Sequence, residues 1–130
     1  MVEARALPTP WQVSFRADGN EGVADTRKAG TGGSAGLRPH ELLEAALATC
    51  MTMTARRALA ELGITGDGGD GGDPGVTVRV DLERTEAATG FRYALILAPE
   101  LEAHRAVLNR RIERSPVRTT LSKPLRFEPA

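Results

Sequence analysis

The sequence predicts an α+β domain in which an antiparallel sheet is joined by segregated helices. Three observations carry that reading. Apolar and polar residues alternate with a period of two near Trp11–Ala17 and again between Val76 and Leu97, the signature of half-buried strands. Between them, Pro39 to Leu62 supplies about six turns of strong helix formers. A second, shorter helical stretch follows the later strands, which sets helices apart from sheet rather than alternating with it. At 130 residues the chain is read as a single domain, 1–130, large enough for one core and too small for two.

Taken in order, Trp11, Val13, Phe15 and Ala17 alternate with Gln12, Ser14 and Arg16 in the first strand. Asp18-Gly19-Asn20 is a turn signal, so Glu21 to Asp25 is expected to return as a short second strand. Lys28 to Gly36 (KAGTGGSAG) is too rich in glycine for regular structure and reads as a flexible lead-in. It lacks the terminal Gly-Lys-Ser/Thr of a phosphate loop. Pro39 suits the first position of the long helix, about 39–62, because its missing N–H is one a helix start leaves unpaired anyway. Gly63 suits the left-handed position just past the end.

That helix has no clearly polar arc. At about 100° per residue, Leu43, Ala46, Leu47, Met53 and Thr54 fall on one side and Ala45, Ala48, Thr52 and Ala55 on the other. A helix that is small or apolar all round is normally buried all round. The rest of so short a chain is hard pressed to cover it, and aromatic residues are few: one Trp, one Tyr and three Phe. A homodimer in which the helix packs against its own copy is therefore expected. In its middle sits Cys50, the one cysteine of the chain.

Beyond the helix, a flexible Gly/Asp loop is expected at about 65–74. Its Asp67–Asp73 run (DGGDGGD) lacks the bidentate glutamate of a calcium loop and reads as a solvated linker. Val76, Val78, Val80 and Leu82, then Phe91, Tyr93, Leu95 and Leu97 after a turn ending at Gly90, predict an antiparallel hairpin. Pro99-Glu100 opens the second helix, which buries Leu101, Leu108 and Ile112. Arg110, Arg111 and Arg114 near its end read as a solvated face matched to the helix dipole, and His104 as a surface residue. Ser115-Pro116 reads as a new N-cap with proline at the first position, starting a short turn through Leu121. Leu125 to Glu128 is expected as a closing edge strand, blunted by Pro129.

Composition narrows the function. Lys plus Arg and Asp plus Glu number 17 each, so no basic stripe argues for nucleic acid or an anionic membrane. No stretch approaches the ~20 apolar residues of a membrane span. The N-terminal residues lack the apolar run of a signal peptide, and a lone cysteine suits a reducing compartment, so a cytoplasmic location is expected. No cofactor and no metal site is expected.

Pro39 to Met53 resembles the motif P-x-E-L-L-x-A-A-L-A-x-C of the OsmC and organic hydroperoxide resistance family. The glycine-rich lead-in precedes it as in that family, and Ser115-Pro116-Val117 through Thr120-Leu121 resembles its C-P-V-x-x-T-L. The resemblance implies an OsmC-like α+β fold, with antiparallel sheet, a long buried central helix and an intertwined homodimer. It further implies thiol-dependent reduction of organic or fatty-acid hydroperoxides in oxidative stress defence. Cys50 would be the attacking thiol, and Arg16, near the end of the first strand, would match the family's activating arginine. Arg57, seven residues past Cys50 on the same helix face, is the second candidate for that role.

Two departures qualify the resemblance. The position of the second, resolving cysteine is Ser115, so an external thiol or dithiol must reduce the oxidised Cys50. The family's glutamate, ten residues before the cysteine, matches His40, with Glu41 beside it. Glu41 lies about 180° around the helix from Cys50, so it cannot simply replace that glutamate from within the same subunit; His40, about 80° away, could approach only through a bent geometry or the partner chain. The alternative is a non-catalytic dimeric binding protein of the same fold, holding a small apolar ligand in its cleft, or a redox sensor.

Overall fold

A computed structural model describes residues 1–64 and 73–130. The chain divides into two compact units, Met1–Leu43 and Glu44–Ala130. Most of the Gly/Asp loop expected at 65–74, with nearly all of the Asp67–Asp73 run, lies outside the described residues.

In the first unit, β1 (Glu3–Ala6), β2 (Val13–Ala17) and β3 (Asn20–Ala24) form an antiparallel sheet in that order. Ala17 pairs with Asn20, so the β2–β3 turn is Asp18-Gly19, both with positive φ (49° and 82°). That turn matches the twist of a two-residue hairpin. Trp11 is not part of the strand. Its φ is 70°, and it closes a turn in which Gln12 N–H donates to Thr9 O at 3.1 Å and Leu7 N–H to Gln12 O at 2.9 Å. Pro8 and Pro10 cannot donate to a ladder, which favours a turn there. β1 is exposed throughout, so the alternation of Val2, Ala4 and Ala6 with Glu3 and Arg5 marks no buried face.

The glycine-rich segment is more ordered than its composition suggests. β4 (Arg27–Lys28) and β5 (Thr31–Gly32) pair around Ala29-Gly30. Asp25, 1% exposed, holds the whole loop. Its carboxylate accepts backbone N–H groups from Thr26 at 2.7 Å, Ala35 at 3.1 Å and Gly33 at 3.4 Å, and the Gln12 amide at 3.3 Å. These donors, Ala35 foremost, hold its pKa below the ordinary carboxylate value despite burial. Gly36 passes so close to β3 that a Cβ would collide with the Val23 carbonyl oxygen.

α1 (Pro39–Glu61) runs from the first unit into the second. At its start the Glu41 carboxylate accepts the Arg38 N–H at 2.7 Å, the back-reaching half of a capping box. At its end Gly63 has φ 76°, Gly63 N–H donates to Ala60 O and Ile64 N–H to Leu59 O at 2.9 Å, a Schellman closure. Ile64 packs on the core beside Leu59.

Among the described residues one side of α1 is buried: Leu47, Met51, Ala55, Ala58 and Leu59. Burial all round, as the composition suggests, is not met in the single chain, because Leu43, Met53 and Leu62 are 43%, 71% and 48% exposed. Thr49, Thr52 and Thr54 donate their hydroxyls to carbonyls one turn back, which lets a threonine-rich helix present little free polarity.

The second unit's core joins that α1 face to a hairpin of β6 (Val76–Arg84) and β7 (Thr89–Leu97). Val76 pairs with Leu97 and Val78 with Leu95, all four buried, as the alternation predicts. The Glu44 carboxylate accepts the Leu82 N–H at 2.7 Å, fastening α1 to β6. Pro99–His104 forms a 3₁₀ turn rather than the opening of one α-helix, and α2 follows at Arg105–Ile112. Leu101, Leu108 and Ile112 are buried as expected, and His104 is half-buried at the join. α3 (Pro116–Leu121) begins after Ser115, whose side chain makes no capping bond. The closing strand expected at Leu125–Glu128 is not formed. This segment is irregular and exposed among the described residues, with Pro124 and Pro129 flanking it.

Candidate functional site

Cys50 stands at mid-helix on α1 and is half-buried. Met53, Thr54 and Arg57 follow it at helical spacings, so the four line one stripe. Facing the same space are Arg111, Arg114 and Pro116, and together these residues line an open cleft of about 390 Å³. The local sequence accounts for the arrangement. Leu108 and Ile112 are fully buried and seat α2 on the core, which brings Arg111 and Arg114 beside α1. The Thr54 hydroxyl donates its hydrogen to the Cys50 carbonyl at 2.9 Å.

Three arginines border a cleft whose lining is otherwise mostly apolar. Arg111 is clamped to Glu61 by two hydrogen bonds of 2.6 and 3.0 Å. Those bonds hold Glu61 below the ordinary carboxylate range, against opposing desolvation, and the charges of Arg111 and Arg57 act in the same direction. Arg57 and Arg114 have no ion-pair partner among the described residues. The cleft lining thus carries three guanidiniums, of which Arg111 is paired with Glu61 outside the lining.

Ser115 lies between two cleft residues in sequence. It is 0% exposed, and its Oγ has no hydrogen-bond partner. The N-cap reading of its hydroxyl is therefore overturned. With ψ 141° it is extended, and its backbone serves the turn instead: Ser115 O accepts the Thr119 N–H at 3.0 Å.

The other sequence candidates lie in the first unit. Arg16 is on β2, where its guanidinium pairs with Glu3 of β1 at 2.9 Å and is 60% exposed. His40 is exposed in the first turn of α1, and Glu41 beside it caps that helix. Of the residues proposed from sequence, the cleft gathers Cys50 and Arg57. Sequence reasoning took Arg111 and Arg114 for a solvated face, and their three-residue spacing to either side of buried Ile112 was the one available signal.

A second cleft of about 240 Å³ is lined by Leu47, Thr89, Phe91, Tyr93, Arg118, Leu121 and Ser122. Among the described residues, no three or more His, Cys, Asp or Glu side chains are placed to hold a metal ion. No described helix is long and apolar enough to cross a membrane.

The family model for the OsmC-like protein matches residues 30–129. This chain belongs to the OsmC-like family. The match includes Cys50, both ends of the arginine cluster and Ser115, while Arg16 precedes it. The OsmC-like chain is also similar to a solved structure from Psychrobacter arcticus 273-4, a protein assigned to the osmotic stress induced and detoxification response. The TM-score is 0.71 at 17% identity, covering 92% of this chain and 85% of that one, a likeness of fold. No curated protein matches the sequence.

Proposed function

We propose that this OsmC-like protein detoxifies organic or fatty-acid hydroperoxides through Cys50, with an external thiol as reductant. The observation that supports it best is the thiol's position in an open cleft with three guanidiniums. A thiolate is the nucleophile in such chemistry, and the guanidiniums that line the cleft are permanent positive charges able to donate hydrogen bonds to anionic groups. The thiolate sulfur attacks one peroxide oxygen, the O–O bond breaks, and the departing alkoxide takes a proton from solvent to leave as an alcohol. Cys50 is then a sulfenic acid, oxidised by two electrons. Arg57 and Arg114, free of ion pairs among the described residues, are the groups we assign to the thiolate and the developing alkoxide.

A homodimer belongs to the same proposal. Leu43, Met53 and Leu62 are exposed on a helix that is otherwise small or apolar, and a second copy of α1 would cover them and make the helix central and buried. A second reading, a binding protein without turnover, is favoured by Ser115 in place of a second thiol and by the aromatic-lined cleft at Phe91 and Tyr93. Cys50→Ala separates the two. Consumption of cumene hydroperoxide with a supplied thiol should fall to background in the variant; unchanged consumption would sink the peroxidase proposal. Wild-type protein whose free thiol outlasts excess hydroperoxide would favour binding alone.

A further inference from the structure

We infer that the reductant of Cys50 is a small anionic thiol, one bearing a carboxylate, drawn into the cleft by Arg57 and Arg114. The inference rests on the hydroperoxide reading above and names its second substrate. Cys50 is the one cysteine of the chain, and the residue between Arg114 and Pro116 is a serine, sealed from solvent and unpartnered. A hydroxyl there cannot form a disulfide, so both reducing equivalents must enter from outside. They enter through a cleft of about 390 Å³ whose lining carries three guanidiniums and no carboxylate. Arg111 is already neutralised by Glu61 at 2.6 Å, which leaves an excess of positive charge at Arg57 and Arg114. Exposed charge of one sign in a concave site raises the local concentration of oppositely charged reactants, and salt screens the effect.

The chemistry closes as follows. A first thiol attacks the sulfenic sulfur, an S–S bond forms and water leaves. A second thiol attacks the sulfur of that mixed disulfide contributed by the first, releasing the small-molecule disulfide and the Cys50 thiolate. One hydroperoxide and two thiols give one alcohol, one water and one disulfide.

The test uses the full chain, with cumene hydroperoxide as a neutral oxidant and three reductants of similar size: 3-mercaptopropionate, 2-mercaptoethanol and cysteamine. Rates are compared per thiolate. Mercaptopropionate should lead cysteamine by about tenfold or more at low salt and lose that lead at high salt. Arg57→Gln/Arg114→Gln should collapse the ratio, and the double Lys variant should keep it. Matched rates for the three thiols in a protein that turns over hydroperoxide would overturn the inference and leave the peroxidase standing. A companion comparison sets a fatty-acid hydroperoxide against its methyl ester with mercaptoethanol fixed. A charge preference confined to that arm would assign the arginines to the oxidant and overturn the inference for the thiol. If no hydroperoxide is consumed, the rate ratio of the dianionic disulfide 5,5′-dithiobis(2-nitrobenzoate) to neutral 2,2′-dithiodipyridine still reads the cleft: a ratio unmoved by the Gln variants overturns the inference, and a collapsing ratio upholds anion selection while the peroxidase reading falls.

Discussion

Ser115 and Asp25 are the two buried polar side chains of the described residues, and they are treated in opposite ways. Asp25 receives four donors, while Ser115 Oγ receives none. An unsatisfied buried hydroxyl costs about 1–3 kcal/mol of desolvation, so its removal can stabilise. Ser115→Ala should therefore raise the unfolding free energy, by about 1 kcal/mol after the lost packing is counted, measured by urea titration; a comparable loss would mean that the hydroxyl is satisfied in solution. Asp25 gives the pH dependence its sign. Its folded pKa is below the ordinary 3.8, so the unfolded chain binds a proton first as pH falls. Its contribution is complete above that ordinary value and is lost as pH drops through the folded one. Asp25→Asn should lower the Tm at neutral pH and flatten the acid limb of stability against pH, both visible by calorimetry. An acid limb unchanged by the substitution would assign it to other carboxylates.

At the scale of elements, the ends of α1 are where sequence and structure agree most closely. Pro39, Glu41 and Gly63 sit where start and stop chemistry requires them. Glu41→Ala should cost about 1 kcal/mol through the lost cap, and if capping is its whole role, hydroperoxide turnover per folded molecule should not change. Gly63→Ala should cost about 1–2 kcal/mol, since its φ of 76° is unfavourable for any side chain. The hairpin β6–β7 was equally legible in its pairing, and Val76, Val78, Leu95 and Leu97 are buried as the alternation requires, whereas Tyr93 on the same face stays exposed. What was not legible lacked a local signal. β1 alternates only charged residues with alanines and is all exposed, and β4–β5 is stabilised by a carboxylate outside it. The expected strand at Leu125–Glu128 has alternation but no ladder among the described residues. The cleft was half legible: Cys50 and Arg57 share a helix, whereas Arg111 and Arg114 come to them only through tertiary packing of α2.

For the whole molecule, the decisive question is what covers the outer side of α1. Met53 is 71% exposed and also borders the Cys50 cleft, so the proposed dimer would bring subunit contact close to the chemistry. Met53→Asp should shift the protein toward monomer in light scattering and weaken hydroperoxide turnover with it. A monomeric wild type, or a dimer indifferent to this charge, would place any contact elsewhere. The distribution of aromatic side chains has a practical consequence at this scale. The single tryptophan, Trp11, belongs to the first unit, and the single tyrosine, Tyr93, to the second. Each unit therefore carries its own natural chromophore. Tryptophan emission excited at the red edge follows the β1–β5 region, with Lys28 Nζ 5.9 Å above the indole, while tyrosine absorbance follows the hairpin beneath α1. An unlabelled sample heated slowly would thus report whether the two units melt together or in sequence.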